Sequence, residues 1–371
     1  MWLDWTQDEL AVLIPHLTDF QEKFPEIQIS ISYFPSEELL ERYQAAAASG
    51  EEPTILFGHS KWTRELSQEG YIRDVHGRIT EEFLESIHPI AWEGVTRSPF
   101  VLGLPFSLEG IVLYRNQGLI AESPATLDDL IESARSLEGE GQSGILIDVG
   151  FQYTGSFFQA CDGEFLDPSG NLLLTVEAGQ CWLEILDQWP LAGYAVQNSE
   201  LDFEEFKAGR AAWLVDGTWN AQELIAELGA EQLAIDPWPI YSPTEKALSG
   251  YAWTRNMYFG VSSSSEDFDA AWILSRYLLT PEVQKDFGES TYGLHVPVLL
   301  SVPTVQPWLQ QMSAAIESNV PFPNFPELSL FSEQLEVAAY DVSRRGYDPY
   351  YSILWVHPKI EKALRFANLD E

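Results

Sequence analysis

Gly103-Leu104-Pro105-Phe106-Ser107-Leu108-Glu109-Gly110-Ile111-Val112-Leu113-Tyr114-Arg115-Asn116 is the stretch that decides how this 371-residue chain folds. It reads as two short extended segments, Val101 to Pro105 and Gly110 to Tyr114, joined by a polar break that sets one acid, Glu109, between apolar runs. A carboxylate in a β-rich apolar setting is costly to bury unless it is paired, hydrated or meets a ligand. Glu109 is therefore either a turn carboxylate facing water or a binding group held in place by strands.

Upstream, Leu10, Leu13, Ile14, Leu17, Phe20 and Phe24 recur at helical spacing, with Asp8 and Glu9 at the favourable amino end and Pro15 as the point of a bend. Ile27, Ile29 and Ile31 alternate with polar residues as a strand. Ser36 is the expected cap of a second helix to about Ser49, and Pro53-Thr54-Ile55-Leu56-Phe57 is a strand that ends at Gly58. Ile79 to Thr96 reads as a helix broken at Pro89. Strands and helices alternating at this spacing give an α/β lobe with a mostly parallel sheet, and ligands of such sheets sit at the carboxyl ends of strands. Asp4-Trp5-Thr6 and Gly58-His59-Ser60-Lys61-Trp62 are two such ends.

Downstream, Thr126 caps a helix that carries Asp128 and Asp129 in its first turn, and Gly144 to Asp148 is a strand. A further strand ends at Val215, where Gly217 permits close backbone approach and Trp219 opens a helix. That places Trp219 where a ligand-stacking aromatic belongs. The length suits two domains, and 45% hydrophobic residues can fill both cores.

A formal net charge of −37, from 57 acids against 20 bases, argues against a nucleic-acid or anionic-membrane partner and favours a neutral or cationic ligand. The acids are interleaved with apolar residues, as in Glu37-Glu38-Leu39-Leu40-Glu41, and so form a solvated globular face. Thirteen Trp residues exceed ordinary packing needs, and their flat faces suit the C–H patches of sugar rings. Cys161, in a helix expected through Ser156 to Gly163, and Cys181, in one expected from Glu177 to Trp189, lie outside any metal-ligand spacing, which leaves a disulfide open and a zinc site disfavoured. No run of about 18 apolar residues occurs. No cofactor fingerprint, phosphate loop, nucleophile elbow or metal-binding helix motif is present, so neither cofactor nor metal is expected.

Several of these segments together resemble the carbohydrate-binding extracellular solute receptors of ABC importers, the maltose-binding-protein-like family. Pro105, Glu109, Tyr114 and Asn116 sit where that family's first interdomain crossover has its Pro, Glu, Tyr and Asn. Pro124-Ala125-Thr126-Leu127-Asp128-Asp129-Leu130 matches a helix-opening segment except for Leu127 in place of Trp. The most specific match is Phe206, Gly209, Ala211, Ala212, Gly217 and Trp219 on a Phe-x-x-Gly-x-Ala-Ala-Met-x-x-x-Gly-x-Trp pattern, with Trp213 in the Met position. Leu279-Thr280-Pro281-Glu282-Val283-Gln284 and Gly293-Leu294-His295-Val296-Pro297 match structural segments, as does the turn Asp167-Pro168-Ser169-Gly170-Asn171, and His295 reads as a structural histidine. Thr54 and Gly58 depart from the family's Asp and aromatic at the second loop.

The resemblance implies a periplasmic-binding-protein-like α/β fold: two lobes joined by a multi-crossover hinge, with the ligand cleft between them. The first lobe is expected to comprise residues 1–107 and 258–302, and the second 108–257 and 303–371. It further implies that Glu109, Asp4 and Arg255 hydrogen-bond sugar hydroxyls, that Trp5, Tyr153 and Trp219 stack on ring faces, and that His59, Ser60, Trp62 and Trp253 border the ligand. The implied protein is a monomeric receptor and not an enzyme, which delivers a carbohydrate to ABC permease subunits outside the cytoplasm. Met1 to Trp5 is similar to the tail of the family's opening strand, so an export signal is expected to have been lost ahead of it. Two other classes suit an acidic, Trp-rich chain. A glycoside hydrolase needs a second carboxylate opposite Glu109, which the sequence does not place. A receptor for polyamines or another cation would want an aromatic box with several acids.

Overall fold

The computed structural model describes residues 1–137, 143–166, 171–191, 193–197, 200–263, 265–290, 295–302, 306–325 and 327–367. The turn residues 167–170 and the pair 293–294 singled out above lie outside them. The chain divides into two compact units, Met1–Glu109 with Ala252–Gln310, and Gly110–Tyr251 with Gln311–Glu371. The chain changes unit at 109/110, 251/252 and 310/311, against 107/108, 257/258 and 302/303 in the sequence reading.

In the first unit the strands run in the order Ser32–Tyr33, Trp2–Leu3, Ile55–His59, Tyr251–Phe259, Leu104–Asn116. The first three are parallel. Tyr251–Phe259 returns antiparallel with Arg255 opposite His59, and Val296 pairs antiparallel with Leu108. Helix Gln7–Lys23 begins at a capping box in which Thr6 and Glu9 each satisfy the other's backbone N–H, and it accommodates Pro15 within its length. It turns Leu13, Leu17 and Phe20 into the core. The strand expected at residues 27–31 is absent. Only Ser32–Tyr33 pairs, because just two residues lie against Trp2–Leu3. Pro35, not Ser36, holds the cap position of helix Ser36–Ser49. Residues 79–96 form two short helices, Glu81–Glu85 and Pro89–Glu93, with Pro89 opening the second.

Glu109 does not mark a break. Leu104–Asn116 is one continuous strand, in which both flanks of Glu109 are held by ladder partners, Leu108 by Val296 and Ile111 by Gly217. The polar residues that suggested a turn are ordinary strand positions, and the change of unit happens inside the strand.

In the second unit, Ile111 to Arg115 pairs antiparallel with Ala211–Gly217, and Leu233–Asp236 pairs antiparallel on the other edge. Ser143–Asp148 follows parallel to Ala211–Gly217, and Gly193–Val196 lies parallel beyond it. Flanking helices make both units α/β, as the sequence predicts, but the sheet is mixed and not mostly parallel, since the returning strands pair antiparallel. Arg115 and Asp236 form a buried ion pair at 2.8 Å, and Arg115 also donates to the carbonyls of Ile120 and Ala121. Cys161 and Cys181 are disulfide-bonded and close a segment with a sequence separation of 20. Replacing both by Ser removes a constraint on the unfolded chain. Urea unfolding should show a loss of about 2 to 3 kcal/mol, and an unchanged midpoint would refute this.

Candidate functional site

Each unit gathers polar side chains at the carboxyl ends of its strands. In the first unit the centre is Arg255, whose side chain is 11% exposed. Its Nη1 donates to Asp4 Oδ1 at 2.8 Å and lies 3.3 Å from His59 Nε2. Its Nε is 3.3 Å from Glu109 Oε1, an ion pair without the alignment of a hydrogen bond, and its Nη2 is 3.8 Å from Glu9 Oε1. One guanidinium thus faces three carboxylates, an arrangement its planar fork of donors suits.

The acids are held in turn by their own elements. Glu9 Oε2 accepts from the backbone and hydroxyl of Thr6, while Oε1 lies 2.8 Å from His295 Nε2. His295 Nδ1 is 3.0 Å from Ser107 Oγ, so the imidazole bridges the capping box to the strand that carries Glu109. Burial pushes the Glu9 carboxyl up, but His295 and Arg255 more than offset this and hold it down to about 2. Burial acts the same way on Asp4, and His59 with Arg255 holds that carboxyl well below the usual range. Burial opposes the charge on Arg255, and Glu109, Asp4 and Glu9 together keep it more basic than usual.

The sequence-predicted residues of this unit divide into two groups. Asp4, His59, Glu109 and Arg255 are brought together, and Trp253, two residues before Arg255 on the same strand, is half-buried on the same face. Trp5 is not available to a ring. It is 0% exposed and packs against Phe57, Phe106, Phe287 and His295 with ring centroids 4.8 to 5.5 Å away. Trp62 is likewise core, buried with Leu56, Leu66 and Tyr258, because the turn after His59 folds it inward. Ser60 is buried and accepts from the Thr254 N–H at 3.2 Å, which ties its loop to the returning strand.

In the second unit the end of Ala211–Gly217 supplies Asp216 and the end of Ser143–Asp148 supplies Asp148. Asp216 accepts from the Gly217 N–H and from Asn220 Nδ2 at 2.6 and 2.8 Å, and Asp148 accepts from the Gly150 N–H at 2.7 Å. Asp202, on helix Leu201–Lys207, is buried beside them. Burial pushes Asp202 up to about 7 and Asp216 up to about 6, with the neighbouring acids adding to the shift. Tyr153 is half-buried, and burial followed by Asp216, Asp148 and Asp202 raises its phenol above its ordinary value. Trp219 is half-buried next to Asp216, and its indole lies so close over Gly217 that a Cβ there would overlap the ring. Close approach, with φ −77° at Gly217, is therefore the reason for glycine.

An acid whose folded pKa is raised costs stability as pH climbs from its unfolded value through its folded one. For Asp202 that window runs from its ordinary 3.8 to about 7. Asp202→Asn should stabilise the protein at pH 8 by about 1 to 2 kcal/mol, discounted for residual solvation, and should change little at pH 4. Thermal unfolding at the two pH values checks this, and a loss at pH 8 would exclude it.

The sequence reading takes Glu9 only as a helix-end acid and His295 as structural, and His295 does bridge Glu9 and Ser107; Asp148, Asp202 and Asp216 in the second unit are not singled out. An N3 acid after Thr6 and an acid ending each of two apolar runs were the available signals. Among the described residues, no group of three or more His, Cys, Asp or Glu could hold a metal ion.

Comparison with known proteins places this geometry in a family. The chain is 23% identical over 313 residues to a maltotriose-binding protein of Pyrococcus abyssi, covering 81% of this chain and 66% of that one. The chain thus spans just under two thirds of that relative's length. Its fold is similar to an extracellular solute-binding protein from Staphylococcus aureus in complex with maltose, with TM-score 0.84, 20% identity, and 99% and 97% of the two chains covered. It is also similar to a cyclo/maltodextrin-binding protein complexed with maltotetraose, with TM-score 0.83, 18% identity, and 97% and 95% covered. The mixed α/β fold of the chain matches these periplasmic-binding-protein-like structures. The family model described as bacterial extracellular solute-binding protein matches residues 17–318, and the chain belongs to that family.

Proposed function

We propose that this protein is the substrate-binding component of an ABC importer for a maltodextrin-type oligosaccharide. It takes the sugar by closure of its two units and delivers it, uncut, to membrane permease subunits. It works outside the cytoplasm and as a monomer. The observation that supports this most is the second unit's pairing of half-buried aromatics, Tyr153 and Trp219, with the carboxylates Asp148 and Asp216. Aromatic faces take the C–H patches of a pyranose, and carboxylates accept from its hydroxyls with charge-assisted strength. In the first unit, Asp4 and Glu109 are already charge-compensated by Arg255, so they offer acceptors without demanding a cation. Glu109, Arg255, His59 and Trp253 would contact the sugar there, with Ser60 positioning the loop. Ligand-driven closure carries information to a permease only if the sugar favours the closed form over the open one.

The buried carboxylates of the second unit favour a cationic solute as the second reading. Calorimetric titration with maltotriose, maltotetraose and spermidine separates the two. Saturable binding of a maltodextrin, with a rise in melting temperature and recovery of intact sugar, supports the receptor. Binding of spermidine alone would promote the second reading, and hydrolysis of the sugar would overturn both.

A further inference from the structure

Far along the chain from the residues above, the last two helices of the second unit, Leu328–Arg345 and Pro349–Ala367, form a cavity of about 430 Å³. Its floor is small and apolar, with Ala338 and Val356 buried. Its walls are Tyr347, Tyr351 and Trp355, which are 55%, 70% and 58% exposed. Three large aromatics held this far out of the core contribute little to folding, and Pro349 to Trp355 repeats the pattern with Tyr350 and Leu354 also exposed.

The charged groups lining the cavity are acids, and Ser352 adds a hydroxyl. Asp341 rises from the first helix and pairs with Arg345 at 2.6 Å, and Asp348 caps the second helix by accepting from the Tyr351 N–H at 3.1 Å. Asp348 also acts on its surroundings: after burial, it is the leading cause of the raised pKa of nearby Asp187, ahead of Glu184. The rim is therefore negative on a chain of net charge −37, which disfavours an anion. The two acids and the exposed aromatic faces, on a strongly acidic chain, suit a cation with an apolar body. Aromatic faces in this same region already carry cations. The Arg345 guanidinium lies 5.4 Å from the Tyr340 ring centroid, and the Lys359 ammonium sits over Trp355 without lining the cavity.

We propose that the cavity walled by Tyr347, Tyr351 and Trp355 is a second binding site, for a small organic ammonium ion whose alkyl body rests on Ala338 and Val356. The aromatic faces attract the cation through their quadrupoles, and Asp348 supplies the countercharge, Asp341 being already paired with Arg345. A neutral molecule of the same shape keeps the apolar contact and loses both electrostatic contributions. This site does not depend on the identity of the transported solute.

The test titrates the whole chain with choline and with its neutral isostere 3,3-dimethylbutanol, followed by saturation-transfer NMR and calorimetry. Choline should bind saturably, with the isostere about tenfold weaker or more. Trp355→Ala and Tyr351→Ala should each weaken choline about fivefold to thirtyfold while leaving maltotriose binding and melting temperature unchanged. Both side chains are exposed, so the variants fold. Equal affinity for the isostere, or no effect of either substitution, would overturn the assignment. So would choline failing to bind while sedimentation shows self-association that Trp355→Ala abolishes, which would make the face an interface between copies.

Discussion

Arg255→Met should cost about 3 to 5 kcal/mol in urea unfolding at pH 7, the loss expected when one member of a buried ionic network is removed and its partners stay behind. Methionine keeps most of the volume, so the loss is electrostatic and not a cavity effect. It leaves Asp4, Glu9 and Glu109 without their shared cation, and Asp4 and Glu9 are buried. Two further measurements identify the mechanism. Adding Asp4→Asn to Arg255→Met should recover part of the loss, because one stranded charge is removed with it. The acid limb should also flatten. Glu9 has its folded pKa lowered from 4.5 to about 2, so it contributes stability that is present above 4.5 and lost as pH falls toward 2. Part of that lowering comes from Arg255, and the variant should lose less stability over the same pH interval. A destabilisation under about 1 kcal/mol, as for a solvent-exposed pair, would show that Arg255 is hydrated and not the centre of the unit.

The parts of this network that were legible in sequence are those governed by local rules. Asp8 and Glu9, and Thr126 with Asp129, mark helix starts in the sequence, and at both starts the structure closes a complete capping box. Apolar runs ending in an acid or glycine mark the strands, and Gly217-Thr218-Trp219 is read correctly as a close turn. What local rules cannot supply is the partner across the sheet. His295 meets Glu9 across a sequence separation of 286, and nothing around either residue foretells it. Trp5 and Trp62 follow strand ends as a ligand-facing aromatic would, yet both turn inward, because Phe57, Phe106 and Phe287 surround the one and Leu56, Leu66 and Tyr258 the other. Burying a Trp contributes more than exposing it at the end of a strand, and only the packed core reveals which Trp has room to do so. The alternation at residues 27–31 was likewise real but had no neighbouring strand long enough to pair with it. For Glu109 the error was local: Ser107, Glu109 and Gly110 look like a turn until the ladders on both sides fix the backbone as extended.

Trp219→Ala should weaken maltodextrin binding several hundredfold, about 3.5 kcal/mol, with little change in melting temperature. The asymmetry follows from position. Trp219 stands at the end of a buried strand whose seven residues, Ala211–Gly217, are all buried, while its own ring is only half so. Removing it leaves the sheet intact and takes away the flat face next to Asp216. Gly217→Ala gives an independent check, because the added methyl must push the indole aside while leaving every ring atom in the protein. The backbone at Gly217 is extended, so alanine is conformationally acceptable there, and any loss of affinity reports displacement of the ring. Calorimetry on both variants should give losses of the same sign, with Trp219→Phe retaining more affinity than Trp219→Ala since a smaller aromatic face still stacks. If Trp219→Ala binds maltotriose as the parent does, the indole is packing and not platform, and the aromatic contact with sugar must then be sought at Tyr153 and Trp253.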